Sequence, residues 1–390
     1  MLKVSKRKIC FIITSGIHYS RSKLILQELK MRKDVELQIV VAASAILSTY
    51  SDVLSLMKKD GFHCNAKITM VLEGGSPVAM AKTTGIGITE FATAFENLSP
   101  DIVVVRGDRY EVLAPAVAAA YLNIAIAHIE GGDVTGNIDE SVRHAITKLS
   151  HIHFTTNEDS KKRVIRMGEN PKYVFDVGGP EIEFVARNHF KASNKLINYL
   201  GVGDMIDINN PFIMVMQHPV TSEQAKNRQH IEETLYGVCD LNLPVIWFWP
   251  NVDAGTDETS KGIRIFREKH SPSHMRFIKH IPSEEFVGLL KRSACLVGNS
   301  SSGIKECSFL GVPVVNIGSR QNRRLRADNV IDTDYNRNEI KKAVQKQIKH
   351  GPYKSSHIYY KKNTSKKISQ ILASVDLYTQ KFFHDDYIVK

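Results

Sequence analysis

The sequence has no long apolar run. None of its runs reaches the length of about 18 residues that a membrane-spanning helix needs, so we predict no such helix. The amino terminus is basic and then apolar, as in a signal peptide, but its apolar part spans only Ile9 to Ile13. This length is too short for the hydrophobic region of a signal, and we predict a first buried strand there instead.

Cysteine is scarce and scattered along the chain. The five cysteines are odd in number and mostly lie within apolar runs. They are Cys10, Cys64, Cys239, Cys295 and Cys307. This pattern does not favour a disulfide framework or a zinc site, and it is typical of reduced thiols in a cytosol. We therefore predict a cytoplasmic protein with no bound metal.

Two recognition motifs are also absent. The turn after the first apolar run reads SGIHYSR and lacks the glycine spacing of dinucleotide-binding turns, so we predict no NAD and no other cofactor. The formal charge is +11, but much of the excess lies in residues 341–349 and 354–367, where apolar residues are interleaved. No nucleic-acid motif accompanies these stretches, so we predict solvated helix faces and no nucleic-acid partner. A basic balance still helps to attract a small anionic substrate.

What the sequence does contain is a regular alternation of short apolar runs and helical patterns. In the first half the predicted strands are residues 8–14, 35–42, 68–72, 102–105, 124–127, 152–155 and 173–177. In the second half they are residues 212–216, 244–249, 275–278, 294–297 and 314–317. Continuous apolar strands separated by helices predict an α/β fold with doubly wound parallel sheets. Among the helices, we predict one over residues 22–31 after a turn at 15–21, and one over 46–60.

The length of the chain favours two domains, because 390 residues exceed one typical core. Polar, irregular residues separate the two alternating halves. We predict an amino-terminal Rossmann-like domain over residues 1–187, a connection over 188–210, a carboxyl-terminal Rossmann-like domain over 211–372, and a helical segment over 373–390. Two such domains facing each other across a cleft resemble the GT-B fold, which many sugar-nucleotide enzymes share. The fold alone does not fix the reaction.

Carboxylates follow two neighbouring strands of the first half. Asp108 stands in the turn after residues 102–105, and Glu130 stands in the turn after residues 124–127. Ligands of open parallel sheets collect at the carboxyl ends of the strands. We therefore expect both acids at one edge of the sheet, where they are candidates for acid–base chemistry.

A third carboxylate begins the helix that follows. Asn137 is the predicted N-cap, and Glu140 stands three residues on, as in a capping box. Asp139 then lies in the first turn, near the loop that Glu130 begins. Each acid taken alone is compatible with an ordinary loop or helix-dipole role, and it is the clustering that makes Asp108, Glu130 and Asp139 candidates.

The second half carries a serine-rich corner, GNSSSGIKE, from Gly298 to Glu306. Such a corner can present N–H groups, hydroxyls and the positive end of a helix to a diphosphate. Glu306 can accept hydrogen bonds from both hydroxyls of a ribose. The alternative is an ordinary capped helix. His218 follows the first strand of this half, and its strand-end position makes it a candidate, although a lone histidine is often a satisfied polar residue.

Several segments together carry a resemblance to a known family. They are GDRYE at residues 107–111, HIEGG at 128–132, IDESVRHAITKLSH at 138–151, QHPVT at 217–221, PNVDAG at 250–255, and GNSSSGIKE with GVPVVNIGSRQ between 298 and 321. In order and spacing they resemble the hydrolysing UDP-N-acetylglucosamine 2-epimerases, which make N-acetylmannosamine and UDP for sialic acid synthesis. Related bacterial enzymes act on UDP-diacetylbacillosamine for legionaminic acid, and the motifs do not separate the two substrates.

The resemblance implies a role for each matching residue. Asp108, Glu130 and Asp139 would be the acid–base carboxylates, and His218 would act near the diphosphate or the sugar. Arg109 would hold the nucleotide sugar from the first domain. The expected UDP-binding residues of the second domain are Asn251, His280, Ser300, Ser301, Glu306 and Arg320. The resemblance further implies a UDP-sugar partner, no membrane partner, and a homodimer or homotetramer.

One position departs from the family pattern. Members carry an arginine, an acidic residue and a tyrosine after the first strand, whereas His18 stands here at the expected arginine. Either Arg21 binds the diphosphate in place of this arginine, or the protein binds the diphosphate more weakly.

The implied reaction is anti elimination of UDP to a glycal, followed by addition of water with inversion at C2. Because C2–H is not next to a carbonyl, its proton must leave together with UDP through an oxocarbenium-like state. Three alternatives stay open. They are a non-hydrolysing epimerase that returns the glycal to UDP, a GT-B glycosyltransferase that needs an acceptor, and a nucleotide-sugar binder without turnover.

Overall fold

The computed structural model describes residues 6–47, 52–72, 76–189, 191–250 and 255–385. The chain folds into two compact units. Unit 1 consists of residues 1–133, 139–184 and 360–390, and unit 2 of residues 134–138 and 185–359. Within the described ranges, no helix is both long and apolar enough to cross a membrane.

Unit 1 contains a seven-stranded parallel sheet. Its strands are β1 (Arg7–Ile13), β2 (Val35–Ala42), β3 (Ala66–Ile68), β4 (Ile102–Arg106), β5 (Ala125–Ile129), β6 (Ile152–Thr155) and β7 (Val174–Asp176). They are ordered β3-β2-β1-β4-β5-β6-β7, and every pair is parallel. The order reverses between β1 and β4, so the carboxyl ends of these strands form the switch point at which such sheets bind ligands.

Unit 2 contains a second seven-stranded sheet. Its strands are β8 (Gly201–Gly203), β9 (Ile213–Met216), β10 (Val245–Phe248), β11 (Met275–Ile278), β12 (Cys295–Gly298), β13 (Val314–Ile317) and β14 (Val330–Thr333). They are ordered β14-β13-β12-β9-β10-β11-β8, and β8 pairs antiparallel with β11 while the other pairs are parallel. Here the switch point lies between β9 and β12.

Helices connect these strands. They are α1 (Gly16–Lys30), α2 (Val53–Lys59), α3 (Pro77–Leu98), α4 (Tyr110–Tyr121), α5 (Asp139–Leu149), α6 (Glu158–Arg166), α7 (Pro180–Arg187), α8 (Asn194–Leu200), α9 (Asn227–Cys239), α10 (Thr256–His270), α11 (Ser283–Arg292), α12 (Ser301–Ile304), α13 (Glu306–Leu310), α14 (Arg337–His350) and α15 (Thr364–Ser374). In β1, Phe11 shares a core with residues of α1 and α15, while its neighbour Ile12 shares a core with residues of α3 and α4. Because helices cover both faces, the strand is apolar throughout, and the predicted doubly wound α/β class is confirmed.

The first helix begins earlier than predicted. We expected a turn over residues 15–21 and a helix from Ser22, but α1 begins at Gly16. Ser15 is its N-cap, since the hydroxyl accepts a hydrogen bond from the His18 N–H at 3.2 Å. The predicted helix over 46–60 is also wrong as drawn, because residues 43–46 form a 3₁₀ turn and α2 spans Val53–Lys59, with 48–51 outside the described residues.

The expected connection over residues 188–210 is wrong in part, because it contains regular structure. It holds α8 and β8, and β8 is an edge strand of the second sheet. The guanidinium of Arg276 donates to the carbonyl oxygens of Ile197 (2.9 Å) and Gly201 (2.8 Å), which fixes the segment to β11. The chain passes from unit 1 to unit 2 within α7, after Phe184.

The carboxyl-terminal region also differs from its prediction. Residues 360–372, which we assigned to the second domain, belong to unit 1, because Ile368 and Leu372 of α15 lie in its core. The segment predicted as helix over 373–390 leaves the helix at Ser374, and residues 375–385 contain no helix. Residues 376–385, here called the strap, contact the rest of unit 1 through hydrogen bonds and through Leu377 and Tyr378, which pack against it. Lys381 Nζ donates to the carbonyl oxygens of Lys148 (2.7 Å) and Ser150 (2.5 Å), at the end of α5.

Two smaller differences lie in the second half. A further strand, β14, follows the strand that we took as the last. Of the basic stretches predicted as helix faces, residues 341–349 are helical within α14 and 364–367 within α15, whereas 354–363 are not helical.

Candidate active site

The carboxyl ends of β4 and β5 carry two of the predicted acids. Gly107 and Asp108 follow β4, and Glu130 follows β5. Both turns are bonded to the sheet, because the Gly107 N–H donates to the Ile129 carbonyl (3.0 Å) and the Glu130 N–H donates to the Phe154 carbonyl (2.9 Å). Since β4 and β5 are paired neighbours, Asp108 and Glu130 lie at one edge of the sheet, as the sequence predicts.

Glu130 has an unusual backbone conformation. Its φ angle is +74°, a left-handed value that Gly107 and Gly132 also adopt nearby, at +81° and +80°. For a residue with a side chain this conformation costs roughly 1–2 kcal/mol. A carboxylate held where glycine would fit more easily is a reason to examine that carboxylate for a function.

Arg106, the last residue of β4, binds Glu130 and a second acid. Its Nη2 donates to Glu130 Oε1 at 2.9 Å and also to Oε2 of Glu181, in the first turn of α7. The side chains of Arg106 and Glu181 are each 1% exposed, whereas that of Glu130 is 12% exposed. One buried guanidinium therefore serves two carboxylates, and Glu130 is the one that is more open to a ligand.

Arg143 of α5 holds Asp108 in a similar way. Its Nη2 donates to Oδ2 of Asp108, and its Nη1 donates to the carbonyl oxygen of Asp133 at 2.8 Å. Asp139 is the first residue of α5 and stands one turn before Arg143. The same helix thus carries the third predicted carboxylate and the arginine that orients the first. The helix begins one residue later than an Asn137 cap requires.

Arg109 is oriented by an acid of its own helix. It is the N-cap residue of α4, and its Nε donates to Glu111 Oε1 at 2.6 Å. The acid is buried, while the arginine side chain is 20% exposed. A cation that is fixed from behind and open in front is suited to binding an anion, which is the role expected from the resemblance.

His128, inside β5, fixes the turn that carries Asp108. Its Nε2 lies 2.9 Å from the Gly107 carbonyl oxygen, and its Nδ1 lies 3.1 Å from Thr147 Oγ1. Burial lowers the pKa of His128 to about 4, although the hydrogen bond to Gly107 acts the other way, so the ring is neutral near pH 7. Because a carbonyl can only accept, Nε2 carries the proton and Nδ1 accepts from the hydroxyl.

His18 lies in the first turn of α1, at the switch point of the sheet. Its Nδ1 is 2.8 Å from Thr14 Oγ1. A Cβ atom built on Gly107 would be 3.5 Å from His18 Nε2 and 3.7 Å from Glu130 Oε2. The imidazole, Gly107 and the Glu130 carboxylate are therefore close neighbours.

The charge state of His18 differs from that of the arginine expected there. Burial, and then the charges of Arg106 and Arg109, lower the pKa of His18 to about 3. The side chain is therefore neutral near pH 7. Arg21, one turn further along α1, also acts electrostatically on His18. A neutral group occupies the position at which the family pattern has a permanent cation.

In unit 2 an amide joins the two strands at the switch point. Asn299 follows β12, and its Oδ1 accepts from the backbone N–H of His218 at 2.7 Å while its Nδ2 donates to the His218 carbonyl at 2.9 Å. Gly298, just before, has a φ angle of +126°, and a Cβ atom there would meet the Met216 carbonyl oxygen at 2.2 Å. These contacts fix His218, a predicted site residue, beside the serine corner.

The serine corner adopts the predicted strand-to-helix turn. Ser300 is the N-cap of the short helix α12, and its Oγ accepts from the Ser302 N–H at 3.3 Å. Arg320 Nη1 donates to the Asn299 carbonyl at 3.1 Å, and Arg320 Nε has no hydrogen-bond partner in the described part of the chain. Ser300, Ser301 and Arg320 are thus brought together, and Glu306 begins the next helix, α13.

One further predicted UDP-binding residue, His280, is not at this corner. His280 follows β11, which is separated from β9 by β10. Asn251 lies outside the described residues, so its position stays a prediction.

The sequence patterns did not single out Arg106, Arg143 and Glu181, which lie near the acids, or the amide of Asn299. A signal existed for Arg106, because a charged residue that directly ends an apolar run, as in IVVVR, must find a buried partner. No comparable signal existed for Glu181, since residues 180–187 were not recognised as a helix.

Known proteins resemble this chain over nearly its whole length. It is 34% identical to the UDP-N,N'-diacetylbacillosamine 2-epimerase (hydrolyzing) of Legionella pneumophila over 374 residues, which cover 96% of this chain and 97% of that protein. It is 28% identical to the UDP-N-acetylglucosamine 2-epimerase of Neisseria meningitidis serogroup B over 354 residues, which cover 91% and 90% of the two chains.

A solved structure and a family description agree with these relatives. The crystal structure of Methanocaldococcus jannaschii UDP-GlcNAc 2-epimerase in complex with UDP-GlcNAc and UDP has a TM-score of 0.78 at 19% identity, covers 94% of this chain and 99% of its own, and shows the shared GT-B-like fold. The family described as UDP-N-acetylglucosamine 2-epimerase matches residues 27–373, and the chain belongs to this family.

Proposed function

We propose that the chain is a hydrolysing UDP-sugar 2-epimerase, which converts a UDP-linked 2-acetamido sugar and water into UDP and the free 2-epimer. The observation that carries the proposal is the pair of acids, Asp108 and Glu130, at adjacent strand ends, each oriented by a buried arginine. Proton transfer at a sugar ring requires carboxylates fixed in this manner. The 34% identity to a hydrolysing relative supports the same reaction class.

The reaction proceeds in two steps. In the first, the bond from C1 to the UDP oxygen breaks while C2 loses its proton, which gives a glycal and UDP. In the second, water adds across the double bond, its oxygen joining C1 while C2 receives a proton on the face opposite to the one deprotonated. The sum is UDP-sugar and water to UDP and a free sugar inverted at C2. Positive charge develops on the ring in the first step, and nearby carboxylates stabilise it.

We assign the proton transfers to Asp108, Glu130 and Asp139 and the binding of UDP to unit 2. A positioned base and a positioned acid contribute about 10²- to 10⁴-fold each. The expected ligands of UDP in unit 2 are His218, Asn251, His280, Ser300, Ser301, Glu306 and Arg320. Because His18 is neutral, we assign the cationic role of unit 1 to Arg109 and Arg21.

For the substrate we favour UDP-N,N'-diacetylbacillosamine. The Legionella relative named for this sugar shares 34% identity with the chain, compared with 28% for the Neisseria relative named for UDP-N-acetylglucosamine. UDP-N-acetylglucosamine is the second candidate, because the sequence motifs resemble those of enzymes that act on it, and its product would be N-acetylmannosamine. The two sugars differ at C4 and C6, where N,N'-diacetylbacillosamine has an acetamido group and a methyl group and N-acetylglucosamine has two hydroxyl-bearing carbons.

The test is incubation with each UDP-sugar in D₂O, followed by NMR. We expect UDP, a free reducing sugar inverted at C2, and deuterium at C2, because the proton added there comes from solvent. The preferred substrate should show at least about a tenfold higher kcat/KM, equivalent to about 1.4 kcal/mol of transition-state binding.

Other outcomes would identify the rival functions. An epimerised sugar that stays linked to UDP would indicate a non-hydrolysing epimerase. UDP release only after an acceptor is added would indicate a glycosyltransferase, and binding of either sugar without turnover would indicate a nucleotide-sugar binder. Each of these results would overturn the proposed function.

A further inference from the structure

We propose that Glu181 is a positioning residue for the reaction, which sets the pH range over which Glu130 works by sharing Arg106 with it. The inference rests on the proposed function, because it takes Glu130 to be one of the residues that exchange protons with the sugar. It goes beyond that function by assigning a role to an acid that lies outside the segments on which the family resemblance rests.

Three elements bring these side chains together. Arg106 ends β4, Glu130 begins the turn after β5, and Glu181 lies in the first turn of α7. Arg106 Nη2 donates to both carboxylates, while its Nη1 is buried and has no hydrogen-bond partner in the described ranges. An NH₂ group has two hydrogens, so each carboxylate receives one of them. The two acids therefore share the positive charge of one guanidinium.

The position of Glu181 is specifically accommodated by the chain. Its side chain is 1% exposed, as is that of Arg106. A Cβ atom built on Gly179 would lie 2.9 Å from Glu181 Oε1, so glycine at that position leaves the space that the carboxylate fills. The charge of a buried carboxylate is screened less by water than that of an exposed one, so it acts more strongly on neighbouring charged groups.

The charge balance gives the direction of the effect. Arg106 favours the ionised form of a neighbouring carboxylate, and a second carboxylate disfavours it. With the charge of Glu181 removed, Glu130 would have Arg106 to itself and would bind a proton less readily. A base that must take a proton from carbon benefits from keeping its proton affinity. Sharing Arg106 orients Glu130 and preserves part of that affinity.

Other charged or titratable groups face the same turn. They are His18 of α1, on which Arg21 and Arg109 act electrostatically, His128 of β5, and Asp108 with its partner Arg143 of α5. Asp108 is bonded to Arg143 and Arg109 to Glu111, and the two histidines are neutral near pH 7. Glu183 accepts a hydrogen bond from the Ser365 N–H at 2.7 Å, on the side of α15. Arg106 thus donates to two acids at this turn.

The experiment measures UDP release from UDP-N,N'-diacetylbacillosamine and from UDP-N-acetylglucosamine across the pH range. The acid limb of kcat/KM reports a group of the free enzyme, and the diphosphate diester of a nucleotide sugar has no proton that titrates there. For Glu181→Gln we expect this limb to move to lower pH by roughly one unit, with a plateau roughly 3- to 10-fold lower because the base is weaker. For Glu181→Asp, which keeps the charge, we expect the limb within roughly 0.3 unit of the wild type.

Two further variants fix the sign and the specificity of the effect. Glu183→Gln removes the same charge two residues further along α7 and should leave the limb unchanged. Arg106→Gln removes the shared cation, so the limb should move to higher pH, opposite to the effect of Glu181→Gln. This second variant also keeps the test decisive if Glu181→Gln does not fold, as judged by circular dichroism and by UDP binding.

The possible failures can be told apart. An acid limb that is unmoved in Glu181→Gln, or that moves equally in Glu183→Gln, overturns the inference while the proposed function stands. A limb that fails to rise in Arg106→Gln overturns it as well. Full activity of Glu130→Gln would instead show that Glu130 does not exchange protons with the sugar. That result would overturn both the inference about Glu181 and the assignment of Glu130 in the proposed function.

Discussion

At its switch point unit 1 carries charged pairs, whereas unit 2 carries mainly neutral donors and acceptors. In unit 1, Arg106 and Arg143 each hold a carboxylate that follows a strand. In unit 2, the Asn299 amide holds the backbone of His218, and serines follow. The two sheets have the same doubly wound plan, so the difference arises from the residues at the strand ends and not from the fold.

This difference separates two tasks. Oriented carboxylates at a water-accessible edge can exchange protons and stabilise positive charge. Hydroxyls, amides and a single arginine can bind a diphosphate without exchanging protons with it. We therefore expect substitutions in unit 1 to affect turnover and substitutions in unit 2 to affect UDP binding.

The strongest test replaces two charged groups of unit 1 and one of unit 2. Asp108→Asn and Glu130→Gln should each lower kcat by about 10²- to 10⁴-fold, because each removes a proton-transfer group, while the Kd for UDP stays within about threefold. Arg320→Ala should weaken UDP binding by about 10- to 100-fold, the effect of one lost charged hydrogen bond. Steady-state kinetics and calorimetry measure both quantities. Equal losses of turnover and UDP binding in all three variants would contradict the division.

Acid stability provides a second test, because the most strongly shifted histidines lie in unit 1. Burial lowers the pKa of His18 to about 3 and that of His128 to about 4, so the unfolded chain binds protons below pH 6.5 that the folded chain does not. Stability is therefore lost as pH falls from 6.5, by about 2 kcal/mol at pH 5 for each of these two residues. In unit 2 the pKa of His230 and that of His280 are lowered by burial too, but neither side chain is fully buried.

The two tryptophans make this prediction measurable. Trp247 and Trp249 both lie in unit 2, so their fluorescence reports that unit, while far-UV circular dichroism reports both. On acidification we expect ellipticity to decrease before the tryptophan emission shifts. Emission that shifts first would show that unit 2 is the more acid-sensitive one.

The smallest expected effect concerns the strap. Lys381 Nζ lies 2.6 Å from Glu169 Oε2, whose side chain is 2% exposed, and also donates to the two carbonyls at the end of α5. Lys381→Ala should lower the unfolding free energy of unit 1 by about 1–3 kcal/mol, because buried acceptors lose a donor. The control is Lys172→Ala, whose ion pair with Asp376 is largely exposed and should contribute less than about 0.5 kcal/mol. Denaturant titration followed by circular dichroism measures the free energy of unfolding of the two variants. Equal losses of this free energy would contradict the stabilising role of Lys381 in the strap.

The sequence predicts the sheets well and the capping details poorly, for physical reasons. Strands such as β4 are buried on both faces, so their apolar runs stand out in any reading of the chain. The start of α1 depends on one hydroxyl, that of Ser15, which accepts the His18 N–H and extends the helix through a polar stretch. The strap has no periodic pattern, because hydrogen bonds to carbonyls and a few irregularly spaced ring and apolar contacts hold it.

The candidate site shows the same limit. Position at a strand end was enough to single out Asp108 and Glu130, because the topology of a parallel sheet brings such positions together. The partner of Asp108, Arg143, lies 35 residues further along the chain (143 − 108), and Glu181, which shares Arg106 with Glu130, lies 51 residues beyond Glu130 (181 − 130). Nor does any pattern reveal that Glu130 adopts a φ angle of +74°. Contacts between distant segments and backbone strain become visible only in the folded chain.

The return of residues 360–385 to unit 1 has a consequence for how the chain is made. Ile368 and Leu372 complete a core whose other members were synthesised from residue 9 onward. On the ribosome, the amino-terminal sheet must therefore wait, with that apolar surface uncovered, until all of unit 2 has been translated. A nascent chain arrested before α15 should accordingly bind chaperones more strongly than one arrested after it.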